Sequence, residues 1–128
     1  MRLQLLSDLH LENDPARSFE AAANADLLVL AGDIGSYQAK SRLPHANDPV
    51  QGDFGLGRFS PRAVGSRWKR VLYVPGNHEF DGRPYATTRV RLRAICDRLG
   101  ITCLDQDEVV IDGVRFIGCT LWSDFDAL

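Results

Sequence analysis

The segment Val71-Leu72-Tyr73-Val74-Pro75-Gly76-Asn77-His78-Glu79 is an apolar, β-branched and aromatic run, closed by Pro-Gly and followed at once by an amide, an imidazole and a carboxylate. A run of this kind suits a strand buried on both faces of a parallel sheet. Pro75-Gly76 then ends it. The same construction occurs twice upstream. Leu27-Leu28-Val29-Leu30-Ala31 leads into Gly32-Asp33, and Leu3-Gln4-Leu5-Leu6 leads into Ser7-Asp8-Leu9-His10. Parallel α/β sheets collect their functional groups at the carboxyl ends of strands, so the three segments are expected to converge. On an extended backbone, Asp8 and His10, two apart, would project to one side.

Chance does not readily produce this set. With 13 Asp and 3 His in 128 residues, an Asp-x-His triplet is expected roughly 0.3 times at random and is weak by itself. Gly-Asn-His, from 11 Gly, 4 Asn and 3 His, is expected on the order of 0.01 times. Each segment alone also fits an ordinary turn. Three such coincidences in one short chain are much harder to accept.

Outward from these strands, Asp14-Pro15 reads as a helix start, with a helix running through Phe19 and the alanines to about Asn24. Strand, helix and strand would then form a right-handed βαβ unit. Residues 35–59 carry several Gly and Pro and little periodicity, and read as a long irregular segment, functional or disordered. A short helix is expected after Ser60-Pro61, ending near Trp68. Leu92, Ile95, Cys96 and Leu99 fall at helical spacing and predict a helix over 85–99, stopped by Gly100. Arg89, Arg91, Arg93 and Arg98 largely avoid that stripe and read as a solvated face. Arg58, Arg62 and Arg67 read as surface residues too, with attraction of an anionic substrate as the alternative. A short strand is expected over 101–104. Asp112-Gly113, between two β-rich runs, predicts a type I′ hairpin over 109–117 and the start of a second sheet.

Length and composition set the outer limits. The chain of 128 residues suits one domain, read as 1–128 with an irregular insertion over 35–67. A net charge of −2 gives no strong nucleic-acid signal, though it leaves room for a local phosphate site. Cys96, Cys103 and Cys119 show no zinc-knuckle spacing and each reads as a small buried apolar residue. An odd cysteine count and no secretory signal favour a cytoplasmic location, and no apolar stretch suggests a membrane span.

The chemistry follows from the side chains. Asp8, His10, Asp33 and Asn77 make a mixed oxygen and nitrogen donor set that suits Mn²⁺, Fe or Zn²⁺ better than Ca²⁺. Asp33, between the other two segments in sequence, is the candidate to bridge two cations. Two such ions lower the pKa of a shared water and offset charge on a phosphoryl group. His78 is placed to donate a proton to the leaving oxygen.

Taken together, Asp8-Leu9-His10, Gly32-Asp33 and Gly76-Asn77-His78-Glu79 resemble the N-terminal motifs of the calcineurin-like metallophosphoesterases. Residues 113–118 and 120–125 are similar to bacterial and phage members. The resemblance implies an α/β fold of the α/β/β/α sandwich type, here truncated to a parallel βαβαβ half and one hairpin of the second sheet. It implies that Asp8, His10 and Asp33 bind one metal, that Asp33 and Asn77 bind the other, and that His78 acts on the leaving group of a phosphate-ester substrate. Two divalent ions, Mn first, are the implied cofactors. The family also carries three further histidine ligands downstream. This chain has three histidines in all, and only His45, in the irregular segment, is unassigned.

Three functional classes therefore stay open: a metal-dependent phosphoesterase represented by its N-terminal portion, a non-catalytic truncated half-domain with a partial metal site, and an interaction module on the same fold. An incomplete second sheet would also leave Val114, Phe116, Leu121, Trp122 and Phe125 short of packing partners, inviting self-association.

Overall fold

The apolar runs form the strands expected of them. In the computed structural model, which describes residues 1–123, β1 (Leu3–Leu6), β2 (Leu27–Ala31), β3 (Val71–Val74) and β4 (Thr102–Cys103) make one parallel sheet in the order β1-β2-β3-β4. β5 (Asp107–Ile111) and β6 (Val114–Gly118) form a separate antiparallel pair. Asp112 and Gly113 have φ of 49° and 80°, the two left-handed positions a type I′ turn requires.

Alternation along the strands distributes side chains to two cores. Leu28 and Leu30 of β2, with Val71 and Tyr73 of β3, face the main core. Leu27 and Leu72, with Val29 and Val74, face the hairpin, where Val109, Ile111 and Phe116 meet them. Burying a leucine or valine side chain is worth about 1.5–3 kcal/mol, so a sheet covered on both faces is held mainly by these central strands. At the edge, β1 is covered on one face only. Leu3 and Leu5, in register with Leu27 and Val29, are 53% and 65% exposed.

Helix α1 (Tyr85–Leu99) spans the expected residues and buries Leu92, Ile95 and Cys96. Gly100, at φ 74°, turns the chain so that Ile101 N–H donates to the Cys96 carbonyl. The Ser60 hydroxyl donates to the Leu99 carbonyl, and the Arg62 guanidinium donates to those of Asp97 and Arg98. The free carbonyls at this helix end are thereby satisfied.

Two expected helices are absent. Residues 14–24 form turns and extended coil between β1 and β2. Phe19 is the only large apolar side chain there, so a short helix would have no apolar stripe to bury, and isolated short helices are marginal in water. The backbone finds other partners. The Gln4 side chain donates to the Glu20 carbonyl and accepts from Ala22 N–H, while Arg58 donates to the carbonyls of Pro15 and Arg17. After Ser60-Pro61 there are successive turns, and the helical turn lies upstream as a 3₁₀ helix over Leu56–Phe59. Asp53 sets that turn, its carboxylate accepting from Gly55 and Gly57 N–H. The crossovers into β2 and β3 thus contain no α-helix.

The irregular segment is the larger surprise. Residues 35–59 hold no strand, yet Ser36, Tyr37, Leu43, Phe54, Leu56 and Phe59 are buried. The Tyr37 hydroxyl accepts from Asp53 and Phe54 N–H and donates to the Pro44 carbonyl, tying three points of the segment together. Arg91, expected on a solvated face, sits against the rings of Tyr37 and Phe54 and donates to the carbonyls of Asp48 and Gly52. Arg89 and Arg93 likewise reach Asp105 and Asp107. A planar fork of N–H donors is suited to loop carbonyls that have no ladder to join. Cys96 and Cys103 fit the expected packing role, but Cys119 is exposed, because the chain has by then left the hairpin and borders an open cleft.

Candidate metal centre

The residues after β1 alternate in environment. Leu9 and Leu11 are buried, whereas Asp8 is exposed and His10 half-buried. Asp8 and His10 do not share a side through an extended backbone, as the strand argument supposed. β1 ends at Leu6, and Asp8 and His10 have φ of 52° and 47°. Asp33, after β2, is also left-handed, at 52°. Such conformations are uncommon outside glycine and are retained where the surroundings enforce them. Here the enforcement is a ladder between loops: Asp8 N–H donates to the Gly32 carbonyl, His10 N–H to that of Asp33, and Leu11 N–H to that of Ile34.

These loops bring one donor atom each from Asp8, His10 and Asp33 within 4.8 Å of one another. The third strand tip joins them through the backbone. His78 N–H donates to Asp33 Oδ1 at 3.0 Å, and the His78 ring lies edge-on to that of His10, centroids 5.3 Å apart. Asn77, exposed, lines the same open cleft of about 500 Å³ as Asp8 and Asp33. All five sequence-assigned residues are therefore at one end of the sheet. His45 is an exposed loop residue.

The glycines of the motifs are required by close approach. A Cβ on Gly76 would lie 2.2 Å from Asp33 Oδ1 and 2.5 Å from Asp33 N, and one on Gly32 would lie 2.8 Å from the Gly76 Cα. No real Cβ tolerates such distances, so the two loops pack backbone against backbone.

Three carboxylates complete the arrangement, and only one of them, Glu79, belonged to a recognised motif. Glu79 is fully buried and accepts from the N–H groups of Asp33, Ile34 and Gly76 at 3.0–3.1 Å. Burial pushes its pKa up to about 7, against the lowering effect of its backbone donors. The buried Tyr73 hydroxyl beside it makes no well-formed hydrogen bond, but burial and the Glu79 charge raise it well above the usual phenol range. Glu12, also buried, holds His10 Nδ1 at 2.9 Å and accepts from Ser36 N–H. That contact leaves Nε2 as the free imidazole nitrogen and fixes the ring. Asp81 holds His78 Nδ1 at 2.5 Å and raises the imidazole above its ordinary pKa, helped by the nearby Asp33 charge. The signals for the two missed residues were faint: a glutamate two positions beyond Asp8-Leu9-His10, and an aspartate three beyond His78 in a helical turn.

The donor chemistry fits a cation. Asp8, Asp33, Glu12, Glu79 and Asp81 crowd one strand end, and among the described residues none of them pairs with a lysine or arginine. Asp8 and Asp33, which have no cationic side-chain partner among the described residues, repel at such spacing, and a divalent ion would supply the counter-charge.

A parallel sheet thus carries a carboxylate–imidazole cluster at its strand ends, a donor set able to hold a cation. A family model described as calcineurin-like phosphoesterase matches residues 1–118, and the chain belongs to that family. An uncharacterized protein of Acanthamoeba polyphaga mimivirus is 29% identical over 139 residues, covering 95% of this chain and 44% of that protein. The crystal structure of a phosphopantetheinyl hydrolase from Mycobacterium tuberculosis is similar in fold, with a TM-score of 0.54 and 24% identity, over 87% of this chain and 38% of that one. The chain thus spans less than half the length of either relative.

Proposed function

We propose that this chain carries one portion of a divalent-metal-dependent phosphoesterase centre. The observation that supports it most is the approach of Asp8, His10 and Asp33 donor atoms to within 4.8 Å, in a family of phosphoesterases. Bound divalent ions supply a water of lowered pKa and offset charge on the phosphoryl oxygens. Asp8, His10 and Asp33 would hold one ion, with Asp33 and Asn77 contributing to a second. Manganese is the first choice, since carboxylate, imidazole and amide donors are mixed. Glu12 orients His10, and Glu79 holds the Asp33 and Gly76 backbones in place. His78, whose protonated form Asp81 favours, would give a proton or a charged hydrogen bond to the leaving oxygen of a phosphate ester.

The donors present complete one ion's binding set only in part. His10 and His78 are committed and His45 is exposed, so the second ion would be held by Asp33 and Asn77 with water. The 128-residue chain is therefore expected to bind Mn²⁺ weakly and to show little or no phosphodiesterase turnover alone. Calorimetric titration with Mn²⁺ tests the site: binding that Asp33→Asn leaves unchanged would remove the proposed centre. Saturable, Mn²⁺-dependent hydrolysis of a bis-aryl phosphate, abolished by His78→Ala, would show that these donors suffice and that the chain needs no others. In a longer protein containing this portion, Asp33→Asn should damage activity far more than His45→Ala.

A further inference from the structure

We infer that Cys96 and Cys103 are a redox-active pair, joined by hydrogen peroxide into an intramolecular disulfide that ties the end of α1 to β4. The turn that ends the helix brings the two residues face to face. Gly100, left-handed at φ 74°, reverses the chain, and Ile101 N–H donates to the Cys96 carbonyl at 2.9 Å. The chain then enters β4, where Cys103 is in register with Tyr73 of β3. Residues in register on neighbouring strands share a face of the sheet, and Tyr73 faces the main core. Cys103 therefore points toward that core, while Thr102, in register with Leu72, points to the other face. From the opposite side, α1 buries Cys96 in the same core, and Cys103 packs against it. A side-chain hydrogen bond joins the two thiols.

The two sulfurs are unequal. Cys96 is fully buried and Cys103 half-buried. Contact with Cys103, and burial behind it, pushes the Cys96 thiol up, so Cys96 keeps its proton and donates. The same hydrogen bond, helped by the Arg93 guanidinium against burial, holds the Cys103 thiol below the usual range. Cys103 is thus the nucleophile, and it is the sulfur of the pair that an oxidant can reach.

The chemistry balances on the peroxide alone. The Cys103 thiolate attacks one peroxide oxygen and the O–O bond breaks, leaving a Cys103 sulfenic acid and hydroxide, which takes up the proton Cys103 had released. The Cys96 sulfur then attacks the Cys103 sulfur. The S–S bond forms, the S–O bond breaks, and the oxygen leaves as a second water with the Cys96 proton. Two thiols are oxidised and one peroxide is reduced. A pair whose thiols already meet needs little backbone movement to be joined.

The test uses the full chain with Cys119→Ser, so that the exposed thiol cannot crosslink two molecules. After peroxide treatment of the folded protein and denaturation in N-ethylmaleimide, the intact mass should show the loss of two hydrogen atoms and no maleimide. Tryptic digestion should yield residues 94–98 linked to residues 99–115, and dithiothreitol should release them. The linked protein should melt about 5 °C higher than the reduced one, because the short loop is closed before unfolding. Cys96→Ser should leave Cys103 as a sulfenic acid that dimedone labels. Cys103→Ser, at the half-buried position, should leave Cys96 unoxidised at the same dose, and it decides the matter if Cys96→Ser does not fold. Two maleimides still added after peroxide, a link that forms only in urea, or sulfinic acid formed at Cys103 in place of the link would each overturn the inference. So would oxidation of Cys96 in Cys103→Ser at the parent rate.

Discussion

Glu79 shows how a single residue can organise three loops. Its carboxylate is fully buried and spans from the β2 tip to the β3 tip, a separation of 45 or 46 positions for the contacts to Ile34 and Asp33. Glu79→Ala would leave three backbone N–H groups without an acceptor, each costing roughly 1–3 kcal/mol when buried. We expect a loss of roughly 3 kcal/mol or more in urea unfolding, and a smaller loss for Glu79→Gln, which keeps one carbonyl oxygen. Gly76→Ala acts at the same contact from the other side. Its Cβ must displace Asp33 Oδ1 and backbone, so a lowered melting temperature together with lost Mn²⁺ binding is expected. Glu12→Ala leaves the buried Ser36 N–H without its acceptor, so it should cost roughly 1–3 kcal/mol while weakening Mn²⁺ binding by about 10–100-fold, the usual effect of removing a carboxylate behind a ligating histidine. Calorimetric titration against the parent chain reads that difference.

At the scale of elements, regular structure was legible wherever the apolar period was unambiguous. β2, β3, α1 and the hairpin stand where their patterns place them. The expected helix over 14–24 does not form, because capping signals without an apolar stripe do not make a helix when Gln4 and Arg58 supply the backbone with other partners. Residues 35–59, irregular in sequence, contribute Tyr37, Leu43, Phe54, Leu56 and Phe59 to the core. Irregular spacing conceals burial, since the buried residues there are placed by turns and not by a repeat. Arg91 joins that segment to α1, which yields a test. Arg91→Ala should raise amide exchange over residues 43–54 and cost roughly 1–3 kcal/mol, while α1 itself keeps its protection. Uniform exchange across the protein would show that the segment is held by Tyr37 and Phe54 alone.

For the molecule as a whole, the sheet is covered unevenly. The crossovers fill one face, but the hairpin covers only the part of the other face near β2, β3 and Leu104. Leu3, Leu5, Ile117 and Leu121 stay exposed, while Phe116 finds packing against the sheet and Phe125 lies outside the described residues. An apolar edge strand is a template for another chain. We therefore expect concentration-dependent self-association in light scattering after size exclusion, reduced by Leu5→Lys, which places a charge on the exposed face of β1. A strictly monomeric parent chain at all concentrations would contradict this. No helix among the described residues is long and apolar enough to cross a membrane.

What the sequence determined by itself was local: the strands, α1, the hairpin turn, and the donor types held at the strand ends. Periodicity and side-chain chemistry act over a few residues, so these features could be read from neighbours alone. Only the tertiary structure decided how the donors meet. The left-handed turns at Asp8, His10 and Asp33, the glycine-to-glycine contact of Gly32 with Gly76, and the support of Glu12, Asp81 and Glu79 depend on the folded loops. The bond from His78 N–H to Asp33 crosses 45 positions of chain, and at that distance position along the chain carries no information about approach in space. Packing of the strands beneath the loops supplies it.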